Sequence, residues 1–393
     1  MQIACDPPIP FGDLPDSNPS PMPSSLKSPV AYNVVTVETL RKYRPLLLSI
    51  HRIGGLVAGL LLLILAATGC VMAFESEIDG LLHPSLFKVS PHGDALSLGS
   101  IIPNVTAELR PQEHIQVCLI SSKPMISYSF TIVGSGRLPR QIFVDQYTGR
   151  ILGSLSVARF VLIMHALHQA SGVLMGCSAI VLVFSVSSGL CLWWPRKRIK
   201  IGGGPRRLFY FDLHNSVGLF SSLFLLAFAF TGAYMAFETW VVPATYKITG
   251  ATPPRGDPPS TPQEGRMPIS PDLALDSAKQ YLSDAIPLWI VLPKERDASY
   301  LVKMRFPEDH SSNGTSIVWV DQYSGKILTV WNSRTAPLAR KLESLNRVFH
   351  TGEFLGYSGK TLACLMSFAL MIQILTGFCL WRQRRGQEFA QRS

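Results

Sequence analysis

Four long apolar runs separate this chain into membrane-spanning and polar parts. Residues 51–75 read HRIGGLVAGLLLLILAATGCVMAFE and residues 214–238 read HNSVGLFSSLFLLAFAFTGAYMAFE; aligned without a gap, they share 13 identities, from the opening His to the closing Met-Ala-Phe-Glu. At about 1.5 Å rise per residue, helices of this length cross a hydrocarbon core of about 30 Å. The pattern predicts spans over residues 46–74 and 209–237. Two more apolar runs predict spans over 158–194 and 347–381, the former containing 35 consecutive residues without Asp, Glu, Lys or Arg.

Between the spans the period changes. Residues 75–157 and 238–342 alternate apolar and polar positions as half-buried strands do, and each segment ends in a hairpin, IFVDQYTGRILG in the first and VWVDQYSGKILT in the second. Landmarks in the order His, Asp-Gln-Tyr, Cys-Leu-Trp recur at offsets of 163, 176 and 188 residues, as a duplicated half with loop insertions would give. The expected fold is an integral membrane α-helical protein: four transmembrane helices as two parallel two-helix repeats, carrying two periplasmic α+β domains.

Composition agrees with membrane insertion, since 47% of the chain is hydrophobic and only 16% charged. The net charge of +10 gathers beside the spans, at Arg41, Lys42 and Arg44, in the loop 195–208 and in the tail 382–393, so it marks the cytoplasmic side rather than a nucleic-acid surface. Residues 1–40, rich in Pro, Ser and Asp, read as a disordered cytoplasmic leader. Seven cysteines form no CxxC, which indicates neither a disulfide framework nor a zinc site. No P-loop or nicotinamide fingerprint is present, so no soluble hydride donor is implied.

The candidate chemistry lies in the histidines. His51 and His214 open spans 1 and 3 at one depth, and His165, His168 and His350 open spans 2 and 4 at the other. A neutral imidazole is an axial haem ligand, and helical bundles hold cofactors between facing helices. Glycines lie one or two turns beyond these histidines: Gly55 and Gly59, Gly172 and Gly176, Gly218, and Gly352, Gly356 and Gly359. They leave room for a flat macrocycle. Two haem sites follow, one per leaflet. For the outer site, counting back from Trp193 and Trp381 favours His165 on depth, whereas His168 has the better glycine spacing. Glu75 and Glu238 read as helix-end residues, and His83, His92, His114 and His310 as solvated.

The motifs TGCVMAFESEID, VDQYTGRIL, SGLCLWW and TGFCLWR resemble those of the PepSY-associated transmembrane family, and within it the inner-membrane ferric-siderophore reductases of Gram-negative bacteria, the FoxB type. The resemblance covers residues 40 to 386. It implies PepSY-like periplasmic domains, two haems b, axial ligation by His51, His214, His165 (or His168) and His350, a cytoplasmic or quinol electron donor, and a ferric siderophore or other Fe(III) chelate as acceptor at the bacterial inner membrane. Two alternatives compete: a non-enzymatic membrane protein whose PepSY-like domains bind a periplasmic partner, and a siderophore permease.

Overall fold

A computed structural model describes residues 37–390 except 137, 157, 158, 196, 198, 200–204, 254, 255 and 264. The expected leader, apart from its last four residues, and much of the basic loop lie outside the described residues. Helix α1 (Val37–Ala73) is followed by α2 (Glu75–Leu82), α3 (Pro84–Phe87), α4 (Leu98–Ala107) and strands β1 (Glu113–Leu119), β2 (Tyr128–Gly134), β3 (Arg140–Val144) and β4 (Ile151–Ser156). Then come α5 (Arg159–Gln169), α6 (Gly172–Trp193), α7 (Arg206–Ala236), α8 (Glu238–Thr249) and α9 (Pro271–Tyr281). Strands β5 (Ile286–Val291), β6 (Tyr300–Arg305), β7 (Ser316–Val320) and β8 (Ile327–Trp331), helix α10 (Leu338–Thr351), a 3-10 turn (Glu353–Leu355) and α11 (Gly356–Ala390) complete the chain.

Four helices are long and apolar enough to cross a membrane: Lys42–Ala73, Gly172–Trp193, Arg206–Ala236 and Glu353–Gln387. Their shared interior is built from Ala58, Leu62, Ala66, Leu182, Leu225, Ala229 and Leu370, a set in which the alanines let backbones approach closely. Large apolar side chains such as Leu60, Phe184, Leu223, Phe230 and Phe368 are exposed on the outside, as a lipid-facing surface requires. Between α1 and α11, Sγ of Cys364 lies 2.8 Å from Sγ of Cys70.

The helices bend at matching points. α1 ends at Phe74 (φ −119°, ψ 21°) and α7 at Phe237 (φ −106°, ψ 24°), and the next helices begin at Glu75 and Glu238, where a carboxylate suits the positive end of a helix. The uninterrupted run 158–194 is not one helix: Ser171 leaves helical geometry (φ −158°) and its hydroxyl accepts from Leu174 N, capping α6. The fourth run also breaks. Gly352 (φ 76°) closes α10, and Gly352 and Gly359 approach so closely that a Cβ on Gly352 would lie 2.6 Å from the Gly359 carbonyl oxygen. The tail expected from residue 382 continues α11 as helix to Ala390.

The two α+β segments join into one antiparallel sheet of order β4-β3-β2-β1-β5-β6-β7-β8. Each segment alone would leave a strand edge open; pairing β1 with β5, with Cys118 opposite Ile290, closes both edges. Helices α4 and α9 cover the sheet over a core that includes Ile101, Val105, Phe130, Ala274, Ile290, Val302 and Met304. Asp272 of α9 accepts from Leu98 N and Gly99 N of α4, both at 2.7 Å, which links the halves again. The repeated Asp-Gln-Tyr is a structural clamp. Gln146 Nε2 donates to the carbonyls of Pro124 and Ile126, and Tyr147 to that of Pro124. Gln322 Nε2 donates to the carbonyls of Glu295, Arg296 and Ala298, and Tyr323 to that of Arg296.

Candidate functional site

Four histidines meet in two pairs inside the bundle. His51 of α1 faces His214 of α7 with ring centroids 6.1 Å apart and planes at 84°. His168 of α5 faces His350 of α10 with centroids 6.4 Å apart and planes at 56°. Each pair therefore takes one ring from each half of the chain.

His165, one turn before His168, points elsewhere: its Nε2 lies 2.8 Å from Oε2 of Glu75. Glu238 opens α8 and is exposed. Depth counted through a continuous helix places His165 level with His350, but both chains break between the histidine and the landmark Trp. The second break holds a 3-10 turn where the first holds only Ala170 and Ser171, so residues do not convert to depth at one rate.

Each imidazole is held by a Ser/Thr-Gly dipeptide on a neighbouring helix. Nδ1 of His168 lies 2.9 Å from Oγ1 of Thr68, Nδ1 of His350 lies 3.0 Å from Oγ1 of Thr231, and Nδ1 of His214 lies 2.9 Å from Oγ1 of Thr376. Nδ1 of His51 lies 2.9 Å from the Ser185 carbonyl oxygen and 3.2 Å from Oγ of Ser188. The next residue is glycine in every case. A Cβ on Gly69, Gly232, Gly377 or Gly189 would come within 3.1 to 3.4 Å of Cε1 of the respective ring, so the missing side chain makes room for the imidazole edge.

The hydroxyls also settle the tautomer. Thr68 donates to the Ile64 carbonyl at 2.8 Å, Thr231 to Ala227 at 2.8 Å, Thr376 to Ile372 at 2.6 Å and Ser188 to Phe184 at 2.7 Å. With its one proton spent on its own helix, each hydroxyl accepts at the imidazole, so Nδ1 carries the hydrogen. Nε2 is then the nitrogen whose lone pair is available to a metal.

This donor set fits an iron porphyrin. Two imidazoles on opposite sides of one ion, each nitrogen about 2 Å from it, have ring centroids about 6 Å apart, which matches both tiers. Among the described residues no group of three His, Cys, Asp or Glu that could hold a metal ion forms; each tier brings two imidazoles together. The glycines singled out by spacing divide. A Cβ on Gly55 would meet nothing within 4 Å, whereas one on Gly176 would lie 2.2 Å from Cζ of Phe237 and one on Gly172 2.8 Å from the Ala236 carbonyl oxygen. Gly55 leaves open space one turn from His51; Gly172 and Gly176 seat helix α7. The Ser/Thr-Gly dipeptides are not singled out by the sequence reading as partners of the histidines. Their signal was their recurrence in all four spans.

A family model described as PepSY-associated TM region matches residues 48–384. No curated protein matches the chain.

Proposed function

The chain belongs to the family of the PepSY-associated TM region, and from that premise we propose that it is a di-haem transmembrane electron-transfer protein that reduces a ferric siderophore in the periplasm and releases Fe(II). The observation that carries this is the pair of facing imidazoles at each tier, every Nδ1 committed to an acceptor and every Nε2 left to bind iron. His51 and His214 hold the cytoplasmic haem b; His168 and His350 hold the outer one. Bound haem b supplies one-electron chemistry. The chain itself fixes the ring orientations through Ser188, Thr68, Thr376 and Thr231, and its packed apolar helices keep water from the two sites.

Orientation follows from charge. The basic residues at the start of α1 and beyond Trp381 and Trp194 favour the cytoplasm. The two-span halves then enter the inner membrane in the same sense as parallel repeats, and the eight-stranded sheet stands in the periplasm. One electron from a cytoplasmic or quinol donor converts an Fe(III) chelate to an Fe(II) chelate, whose hard oxygen donors hold the ion less tightly.

Haem stoichiometry of the detergent-purified full chain tests this. The expected result is two haems b per chain by pyridine haemochrome, one after either His51→Ala or His350→Ala, and reoxidation of the reduced protein by a ferric siderophore. A colourless protein overturns it.

A further inference from the structure

A cavity of about 410 Å³ opens where the sheet meets α10, walled by Tyr246 of α8, Trp331 of β8, and Arg340, Lys341 and Val348 of α10. Its floor is α10, the helix that carries His350 two residues beyond Val348; at about 100° per residue these two side chains leave opposite faces, so α10 lies between an occupant and the outer imidazole pair.

The walls favour negative charge. The acidic groups there are already committed: Glu308 pairs with Arg334 at 2.6 Å, and Asp309 accepts from Phe306 N and the Thr315 hydroxyl. Arg340 pairs with Glu343 at 2.7 Å and lies over the Trp331 ring, 4.9 Å from its centroid. Lys341 has, among the described residues, only the Arg334 carbonyl oxygen at 3.4 Å and no carboxylate. Behind this wall, Lys303 is buried near Arg340 and Arg347, with Asp309 as its acidic neighbour. A second observation points inward. Tyr246 is 2% exposed and lines the cavity, and its hydroxyl, which is not among the buried groups left without a partner, is open to an occupant.

We infer that this cavity is the binding site of the electron acceptor and that it takes an anionic, oxygen-rich ferric chelate. Lys341 and Arg340 meet its charge, the Tyr246 hydroxyl donates to one of its oxygens, and Trp331 covers its apolar edge. The site rests on the relay proposed above. It places the chelate on the sheet side of α10, against the helix that carries His350.

Gallium(III) citrate, an anionic chelate that resists reduction, separates binding from electron transfer. Calorimetry on the haem-loaded full chain is expected to show binding that weakens at least about tenfold in Lys341→Glu and about fivefold in Tyr246→Phe, the latter the loss of one hydrogen bond, with haem content and spectra unchanged. A cationic gallium trihydroxamate is expected to bind more weakly than the citrate. The site is overturned if the wild type ignores gallium citrate, if both variants bind it as the wild type does, or if the cationic chelate binds better. A protein without haem that still binds the citrate removes the relay and leaves the site; a haem-loaded protein that ignores it removes the site alone.

Discussion

Nδ1 of His168 sits 2.9 Å from Oγ1 of Thr68, and the Thr68 hydroxyl has already given its proton to the carbonyl of Ile64. The interaction thus has one direction, imidazole to hydroxyl, and it leaves Nε2 as the nitrogen with a free lone pair. Thr68→Val keeps the shape and removes the acceptor, leaving an Nδ1–H unpaired in an apolar bundle. Outer-shell partners of metal-bound histidines typically carry about 10–100-fold in metal affinity, so Thr68→Val is expected to lose its outer haem that much more readily to an apoprotein scavenger, and Thr68→Ser to behave as wild type.

His165 and His168 give opposite outcomes. His168→Ala is expected to lower the haem count from two to one, and His165→Ala, which breaks the bond to Glu75, to leave two. Equal counts in the two variants would sink the assignment of His168.

The contrast between these histidines shows what the sequence could carry. The four spans, the repeated hairpins and the two layers of histidine were legible because each depends on local periodicity or on self-similarity. That His168 rather than His165 faces His350 was not, since it turns on where Ser171 and Gly352 stop a helix. The role of Thr68, Thr231, Thr376 and Ser188 was equally hidden: the dipeptides are plain in the sequence, but each hydroxyl serves a ring on another helix. Nor does any local pattern reveal that β1 and β5 pair and make one sheet of two segments.

The sheet domain has an acid-sensitive joint. Arg140 donates to Glu113 at 2.8 Å with both side chains buried, and that hydrogen bond holds the Glu113 carboxyl at about 2, against an ordinary 4.5. A depressed carboxyl stabilises the fold at every pH above its unfolded value and loses that contribution as pH falls from about 4.5 toward 2. Glu113→Gln is expected to lower stability by about 2 kcal/mol at pH 7 and to flatten the acid limb of a thermal-melting profile. An unchanged limb would mean that the pair contributes nothing.

Lys303 works in the other direction. Burial first, and then the nearby Arg340 and Arg347, push its ammonium down to about 8 from 10.5. The fold therefore disfavours the charged form: below about pH 8 it carries the whole penalty, and between 8 and 10.5 the penalty disappears as the folded protein releases a proton that the unfolded chain still holds. Lys303→Met is expected to raise stability at pH 7 by about 1–3 kcal/mol and to remove the rise in melting temperature across that window. An anionic chelate beside Arg340 and Lys341 offsets the same repulsion and restores the proton to Lys303. Binding of gallium citrate at pH 8 is accordingly expected to take up a fraction of a proton in the wild type and none in Lys303→Met, measured as the difference in binding enthalpy between buffers of unlike ionisation heat. Equal proton uptake in the two proteins would place the chelate outside the field of Lys303 and so away from the α10 cavity.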